Sequence, residues 1–243
     1  MRKKTLITGA GRGIGEQIAL KFGSEQHDLI LLIQKKEQYP NIMKKLKKYN
    51  IKVDCFIGDL KDQKFLNLLS KKINIIDNLI NNAALANTKH FLDVTNKELD
   101  DITNVNLKTI FKLSQIFSKK MIKNKIKGNI INISSQLGHV GGYNRTAYCM
   151  TKFGLEGLTK SMAMDLGKHG IRVNTVAPTK TIVNQEERFK TKKRLNLIRN
   201  KIPLRKFSTT KEIASIVYFL TTESSSSITG TSIISDGGWT SGK

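Results

Sequence analysis

Two cysteines in 243 residues, Cys55 and Cys149, rule out a disulfide framework and a cysteine-built metal centre. His27, His90, His139 and His169 are scattered without ligand spacing, so no metal site is expected. No stretch approaches the ~20 apolar residues of a membrane span. The basic start Met1-Arg2-Lys3-Lys4 leads into an apolar stretch too short for an export signal, which predicts a cytoplasmic protein with no membrane partner. Acidic residues are scarce, 19 against 42 Lys and Arg, for a formal charge of +23. Only 7% of residues are aromatic, and none alternate with the basic clusters Lys44-Lys45-Leu46-Lys47-Lys48 and Lys190 to Arg194 to stack bases. Specific nucleic-acid binding is therefore not expected. A solvated lysine-rich surface, or attraction of an acidic substrate or carrier, remains open.

The length suits one large α/β domain, residues 1–243. Continuous apolar runs at Lys4–Thr8, Leu29–Ile33, Val53–Ile57, Asn78–Ile80, Asn129–Ile133, Arg172–Val176 and Ser232–Ser235 read as strands buried on both faces. Helix-length amphipathic stretches separate them, near 14–23, 38–49, 62–72, 96–123, 146–168 and 209–220. The alternation predicts a Rossmann-type doubly wound parallel sheet with helices on both faces. The stretch 179–208 is polar, basic and weakly periodic, and it breaks the rhythm where ligands sit in such folds. It is the expected substrate loop.

Thr8-Gly9-Ala10-Gly11-Arg12-Gly13-Ile14-Gly15 joins the first strand to the first helix. Glycines there let backbone N–H groups approach a pyrophosphate at a helix N-terminus. The usual G-x-G-x-x-G spacing fails, since Ile14 stands where its last glycine would fall; the pattern is T-G-x-x-x-G-x-G. The second strand ends in Ile33-Gln34-Lys35-Lys36 with no carboxylate before Glu37. NAD enzymes tend to carry an acid there. Lys35 and Lys36, with Arg12, can pair a 2′-phosphate, so NADP(H) is preferred over NAD(H), which stays possible. Asp59-Leu60 follows the third strand, where the carboxylate meets an adenine amino group or caps the next helix. Asn81-Asn82-Ala83-Ala84 allows a tight turn after the fourth.

Tyr148 and Lys152 fall one helical turn apart on one face. An ammonium about 4 Å from a phenol, at an effective dielectric near 20, favours the phenolate by roughly 4 kcal/mol before desolvation. Such a pair exchanges a proton with a carbonyl or alcohol oxygen. Ser135 ends the fifth strand and can hold that oxygen. Asn106 lies within a long helix, where a buried Asn bends the helix or binds a water and a solvated one does neither. On the same helix as Tyr148, the small residues Gly154, Gly157 and Ser161 suggest a subunit interface.

Together these residues resemble the short-chain dehydrogenase/reductase family over nearly the whole chain, ending in Ile228-Thr229-Gly230 and Asp236-Gly237-Gly238-Trp239. The resemblance implies that a nicotinamide hydride adds to a carbonyl carbon while Tyr148 protonates the oxygen. It makes Asn106, Ser135, Tyr148 and Lys152 the catalytic set. Lys152 would lower the tyrosine pKa and hold the nicotinamide ribose, Ser135 would orient the carbonyl, and Asn106 would support a water relay. The implied cofactor-binding set is Gly9, Gly11, Arg12, Gly13, Ile14, Gly15, Gln34, Lys35, Asp59, Leu60, Asn82, Ala83, Tyr148, Lys152, Pro178 and Thr181. The family is usually tetrameric, so a homotetramer or homodimer is expected.

Two departures stand out. The family commonly has Pro-Gly where this chain has Pro178-Thr179, and a Thr resists positive φ. Its carboxamide-touching Thr is replaced by Val183, leaving Thr181 as the nearest candidate. Phrases such as Asn106-Leu107 and Pro203-Leu204-Arg205-Lys206-Phe207 resemble the branch that reduces β-ketoacyl groups on acyl carrier protein, whose acidic carrier a basic protein attracts. A sugar or other small ketone or alcohol, or a cofactor-binding regulatory protein without turnover, remains an alternative.

Overall fold

The computed structural model describes residues 2–181 and 192–242, with side chains described outside 192–195. Val183 and much of the expected substrate loop lie outside the described residues. Among the described residues, seven strands form one sheet: β1 Lys4–Thr8, β2 Asp28–Ile33, β3 Val53–Ile57, β4 Asn78–Asn81, β5 Asn129–Ile133, β6 Arg172–Pro178 and β7 Ser232–Ser235. Their order is β3-β2-β1-β4-β5-β6-β7, and every pair is parallel. The helices are α1 Gly13–Ser24, α2 Gln38–Leu46, α3 Gln63–Lys72, α4 Asn96–Thr103, α5 Thr109–Lys123, α6 Thr146–Gly167, α7 Lys192–Arg199 and α8 Thr210–Phe219. Among the described residues, no helix is long and apolar enough to cross a membrane.

Successive residues of a strand point to opposite faces, so a strand covered on both is largely apolar along its whole length. Ile7, Leu31, Ile131 and Val176 pack under α1, α2 and α8 with Ile18, Phe22, Ile42 and Val217. Their neighbours Leu6, Ile30, Ile130 and Val173 pack the other face, with Leu69, Leu113, Phe117 and Ala163 from α3, α5 and α6. Asp62 caps α3, and capping boxes at Thr95/Glu98 and Thr209/Glu212 start α4 and α8.

The single helix predicted over 96–123 differs in the structure. A π turn at Asn104–Lys108 separates α4 from α5. Apolar spacing runs through the break, which hides it from the sequence.

Polar side chains join the central strands. Asn78 pairs with Asn129 and Asn81 with Asn132 across β4 and β5, each by a 2.9 Å amide hydrogen bond. Asn132 donates on to Thr159 of α6 at 2.8 Å. The chain runs outward in opposite directions from β1 and β4, and a crevice opens above their C-terminal ends.

Candidate active site

The first half of the site is built where β1 meets α1. Thr8 Oγ1 accepts from the backbone N–H groups of Asn82 and Ala83, both at 2.9 Å. Asn82 Nδ2 returns bonds to the carbonyls of Thr8 and Gly9 at 2.9 and 3.2 Å. The ends of β1 and β4 are thereby clamped together. Gly9 has φ +65°, and a Cβ on Gly15 would stand 2.2 Å from the Gly9 carbonyl oxygen. The turn is therefore closed against the helix, with room for no side chain at Gly15.

Above the clamp lies a cleft of about 570 Å³. Gly9, Arg12, Gly13, Ile14, Gln34, Lys35, Asp59, Leu60, Asn82 and Ala83 line it, all expected from the sequence to meet the cofactor. Gly13 and Ile14 open α1, so a helix N-terminus borders the cleft where an anion is favoured. Asp59 accepts from the Lys61 N–H at 2.8 Å, while Asp62 caps α3, so Asp59 is not that helix's cap. Gly11 and Gly15 back the turn rather than line the cleft, and Lys36 is not among the lining residues.

Sequence reasoning missed Gln38, Lys61, Leu85 and Val105 on the cleft wall. Gln38 had a signal: a Cβ on Gly11 would fall 2.4 Å from its Oε1, so that glycine marks the place where the α2 side chain lies.

The second half of the site stands at the ends of β5 and β6. Ser135 follows β5, and its Oγ accepts from the Leu137 N–H at 3.1 Å. Ser135 is near enough to Tyr148 to act on its phenol. Tyr148 lies in the first turn of α6, and Lys152 follows one turn later, 1% exposed. The Lys152 ammonium donates to the Ile133 carbonyl at 2.7 Å and stands 5.6 Å from the centre of the Tyr148 ring.

Burial pushes the Tyr148 phenol up, while the Ser135 hydroxyl and the Arg145 charge draw it down. Burial brings the Lys152 ammonium down to about 8, with Glu156 pulling the other way. From spacing alone, the lysine charge is the leading effect on the phenol. In the folded chain desolvation leads, and the phenol keeps its proton. That is the form a proton donor needs.

Asn106 is fully buried in the π turn. Its Oδ1 accepts from the Leu85 N–H at 2.8 Å, and its Nδ2 donates to the Leu85 carbonyl at 2.9 Å and to Thr151 Oγ1 at 3.0 Å. The Asn106 side chain therefore ties the segment after β4 to α6, and both amide protons are spent on protein. The bend expected of a buried Asn is present as the π turn.

Pro178 ends β6 opposite Ser235. Thr179 is buried, and its N–H donates to the Ser235 carbonyl at 3.1 Å. It is not among the described non-glycine residues with positive φ, which are Gln26, Lys125, Asn144 and Arg205. Replacing the family's Gly by Thr thus imposes no left-handed strain. Thr181 donates to the Thr179 carbonyl at 3.1 Å, and neither Pro178 nor Thr181 lines the cleft.

The small stripe on α6 also divides. Leu107 of the same chain would lie 3.1 Å from a Cβ on Gly154, whereas Gly157 has open space beside it. Among the described residues, no cluster of His, Cys, Asp or Glu is arranged to hold a metal ion.

Residues 9–240 match the family described as enoyl-(acyl carrier protein) reductase. L-xylulose reductase of Mus musculus is 34% identical over 242 residues, covering 98% of this chain and 96% of that one. The 3-oxoacyl-[acyl-carrier-protein] reductase FabG of Buchnera aphidicola is 35% identical over 245 residues, covering 98% and 97%. Among solved structures, 4-hydroxyisoleucine dehydrogenase complexed with NADH superimposes with a TM-score of 0.92 at 31% identity, over 100% of both chains. With this cleft, this strand order and these relatives, the chain belongs to the short-chain dehydrogenase/reductase family, NAD(P)-dependent oxidoreductases that act on CH–OH and C=O groups.

Proposed function

We propose that the protein is an NADP-dependent reductase of a carbonyl substrate, with Ser135, Tyr148 and Lys152 as its proton-transfer group. The observation that carries this reading is the buried Lys152 ammonium, held on the Ile133 carbonyl 5.6 Å from the centre of the Tyr148 ring, with Ser135 at the end of the same strand. When bound, the nicotinamide supplies a hydride to the carbonyl carbon. Ser135 holds the carbonyl oxygen, and Tyr148, kept protonated by burial, donates its proton to that oxygen. The Lys152 charge then steadies the phenolate left behind. The π turn at Asn106 departs from regular helical bonding, which suits a water relay that reloads Tyr148.

Arg12 and Lys35 on the cleft wall support NADP(H) over NAD(H), since they can grip a 2′-phosphate. Pro178 and Thr181 fit the nicotinamide end, and the stretch 179–208 fits a substrate loop. The L-xylulose reductase likeness favours a sugar or other small ketone. A second reading, a β-ketoacyl thioester on acyl carrier protein, draws on the FabG likeness and the charge of +23. Half-exposed Phe111 and Phe153, with the open Gly157, suit packing of α5 and α6 against a second subunit in a homodimer or homotetramer. Two free cysteines fit a cytoplasmic enzyme.

The test is NADPH oxidation by purified protein with sugar ketones, small ketones and a β-ketoacyl thioester. Tyr148→Phe is expected to abolish turnover and leave NADPH binding intact. Oxidation of no substrate, with tight NADPH binding, would favour a regulatory protein instead.

A further inference from the structure

Lys152 has a second buried ionisable group beneath it. Glu156 lies one helical turn further along α6 and is 7% exposed, beside a lysine at 1%. Three segments hold its carboxylate. Thr175 of β6 donates to Oε2 at 2.8 Å, and Ser232 of β7 donates to Oε1 at 3.4 Å. His139, after the β5 end, brings Nε2 to 3.2 Å from Oε1 and to 3.0 Å from the Ser232 hydroxyl. An acid buried on both oxygens, with its tethers on two strands, is fixed in place.

We propose that Glu156 is a positioning residue that keeps Lys152 in its ammonium form, so that it sets the alkaline limit of the reaction. The inference rests on the role given to Lys152 above. A lone buried ammonium tends to lose its proton, whereas a fixed buried carboxylate nearby holds that proton on. Burial does lower Lys152, and Glu156 is the group that opposes it. Other groups around the pair are accounted for. Tyr148 on α6 remains a neutral phenol, and the π turn presents uncharged Asn106. Thr175 and Ser232 are also uncharged; His139 is a titratable neighbour of Glu156, and exposed Lys160, one turn on along α6, is bound to the Gly230 carbonyl. On α4, Glu98 and Asp101 are bound to Lys89 and Lys61, and Lys97 and Asp100 are exposed.

The experiment is kcat/KM for NADPH oxidation and Kd for NADPH across pH 6 to 10, in the wild type and in Glu156→Gln. The amide keeps an acceptor for Thr175 and removes the charge. The alkaline limb should move down by about one pH unit, with kcat/KM near pH 9 about tenfold lower and near pH 6 little changed. An unmoved limb, or an equal loss at every pH, would overturn the proposal. Should Glu156→Gln not fold, Thr175→Val unties one oxygen and leaves the charge. Its limb should fall by a smaller step, and no movement would count against Glu156. If the wild type turns over no substrate, it is the proposed function that fails. The pH dependence of NADPH binding still decides the role of Glu156.

Discussion

Gly15→Ala sets two rules against each other. Inside a helix, Ala is worth about 1 kcal/mol more than Gly, so propensity alone forecasts a more stable protein. The structure forecasts the reverse. The new Cβ would lie 2.2 Å from the Gly9 carbonyl oxygen and 2.5 Å from Asn82 Nδ2. Carbon and oxygen rest roughly 3.3 Å apart even in their closest favourable contacts, so the turn must open by about 1 Å. Opening it loosens the two bonds that Asn82 Nδ2 makes to the Thr8 and Gly9 carbonyls, each worth about 1 kcal/mol. Overpacking adds a cost of ~1–3 kcal/mol. Net of the propensity gain, about 2–4 kcal/mol should be lost, which lowers Tm by roughly 4–16 °C for a chain of this size. The displaced N–H groups at the start of α1 should weaken NADPH binding at least tenfold, about 1.4 kcal/mol. Thermal melts and a fluorescence titration with NADPH read both effects. A variant that melts above the wild type and binds NADPH equally well would refute the close approach of turn and helix.

Three further outcomes follow from other parts of the molecule. Replacing Arg12 and Lys35 with Ala should raise Kd for NADPH about tenfold or more and change NADH little; equal losses for the two would place the 2′-phosphate elsewhere. His27 is buried, with Nδ1 2.9 Å from Thr5 Oγ1, and burial, helped by Lys3, pushes its imidazole down. The unfolded chain therefore takes up the proton first, so this contribution is full above pH ~6.5 and fades as pH falls below it. Urea midpoints at pH 7.5 and pH 5.5 should differ more in the wild type than in His27→Gln. Finally, Phe153→Glu should lower the solution mass of the assembly, read by light scattering; an unchanged mass would remove α6 from the subunit contact.

The parts of the fold that repeat were readable in the sequence. Strands such as Leu29–Ile33 must be apolar on both faces, and that requirement leaves a continuous run behind. The glycine turn was readable because Gly9 and Gly15 answer to local backbone geometry. Tyr148 and Lys152 could be paired because a helix fixes their spacing. What could not be read depends on partners far away along the chain. Nothing in the sequence marks Glu156, since Thr175 and Ser232 reach it only after the sheet forms. Asn106 was singled out, but its bonds to Leu85 and Thr151 were not foreseeable. The phenol's upward shift arises from burial, which no residue spacing encodes.

The paired amides of β4 and β5 have a consequence for assembly of the site. Parallel strands of uniform Ile and Leu can slide past one another at little cost, because each register buries similar surface. Here Asn78 and Asn81 point to opposite faces and meet Asn129 and Asn132 in one alignment. A slip by one position in one direction sets Asn78 against Ile130 and Asn81 against Ile133 and breaks both amide pairs, at about 1–3 kcal/mol for each amide left buried without a partner. Asn82 leaves the top of one strand, and Ser134 and Ser135 leave the top of the other. The relative height of the glycine clamp and the proton donor is thus decided by strand pairing, before a ligand reaches either.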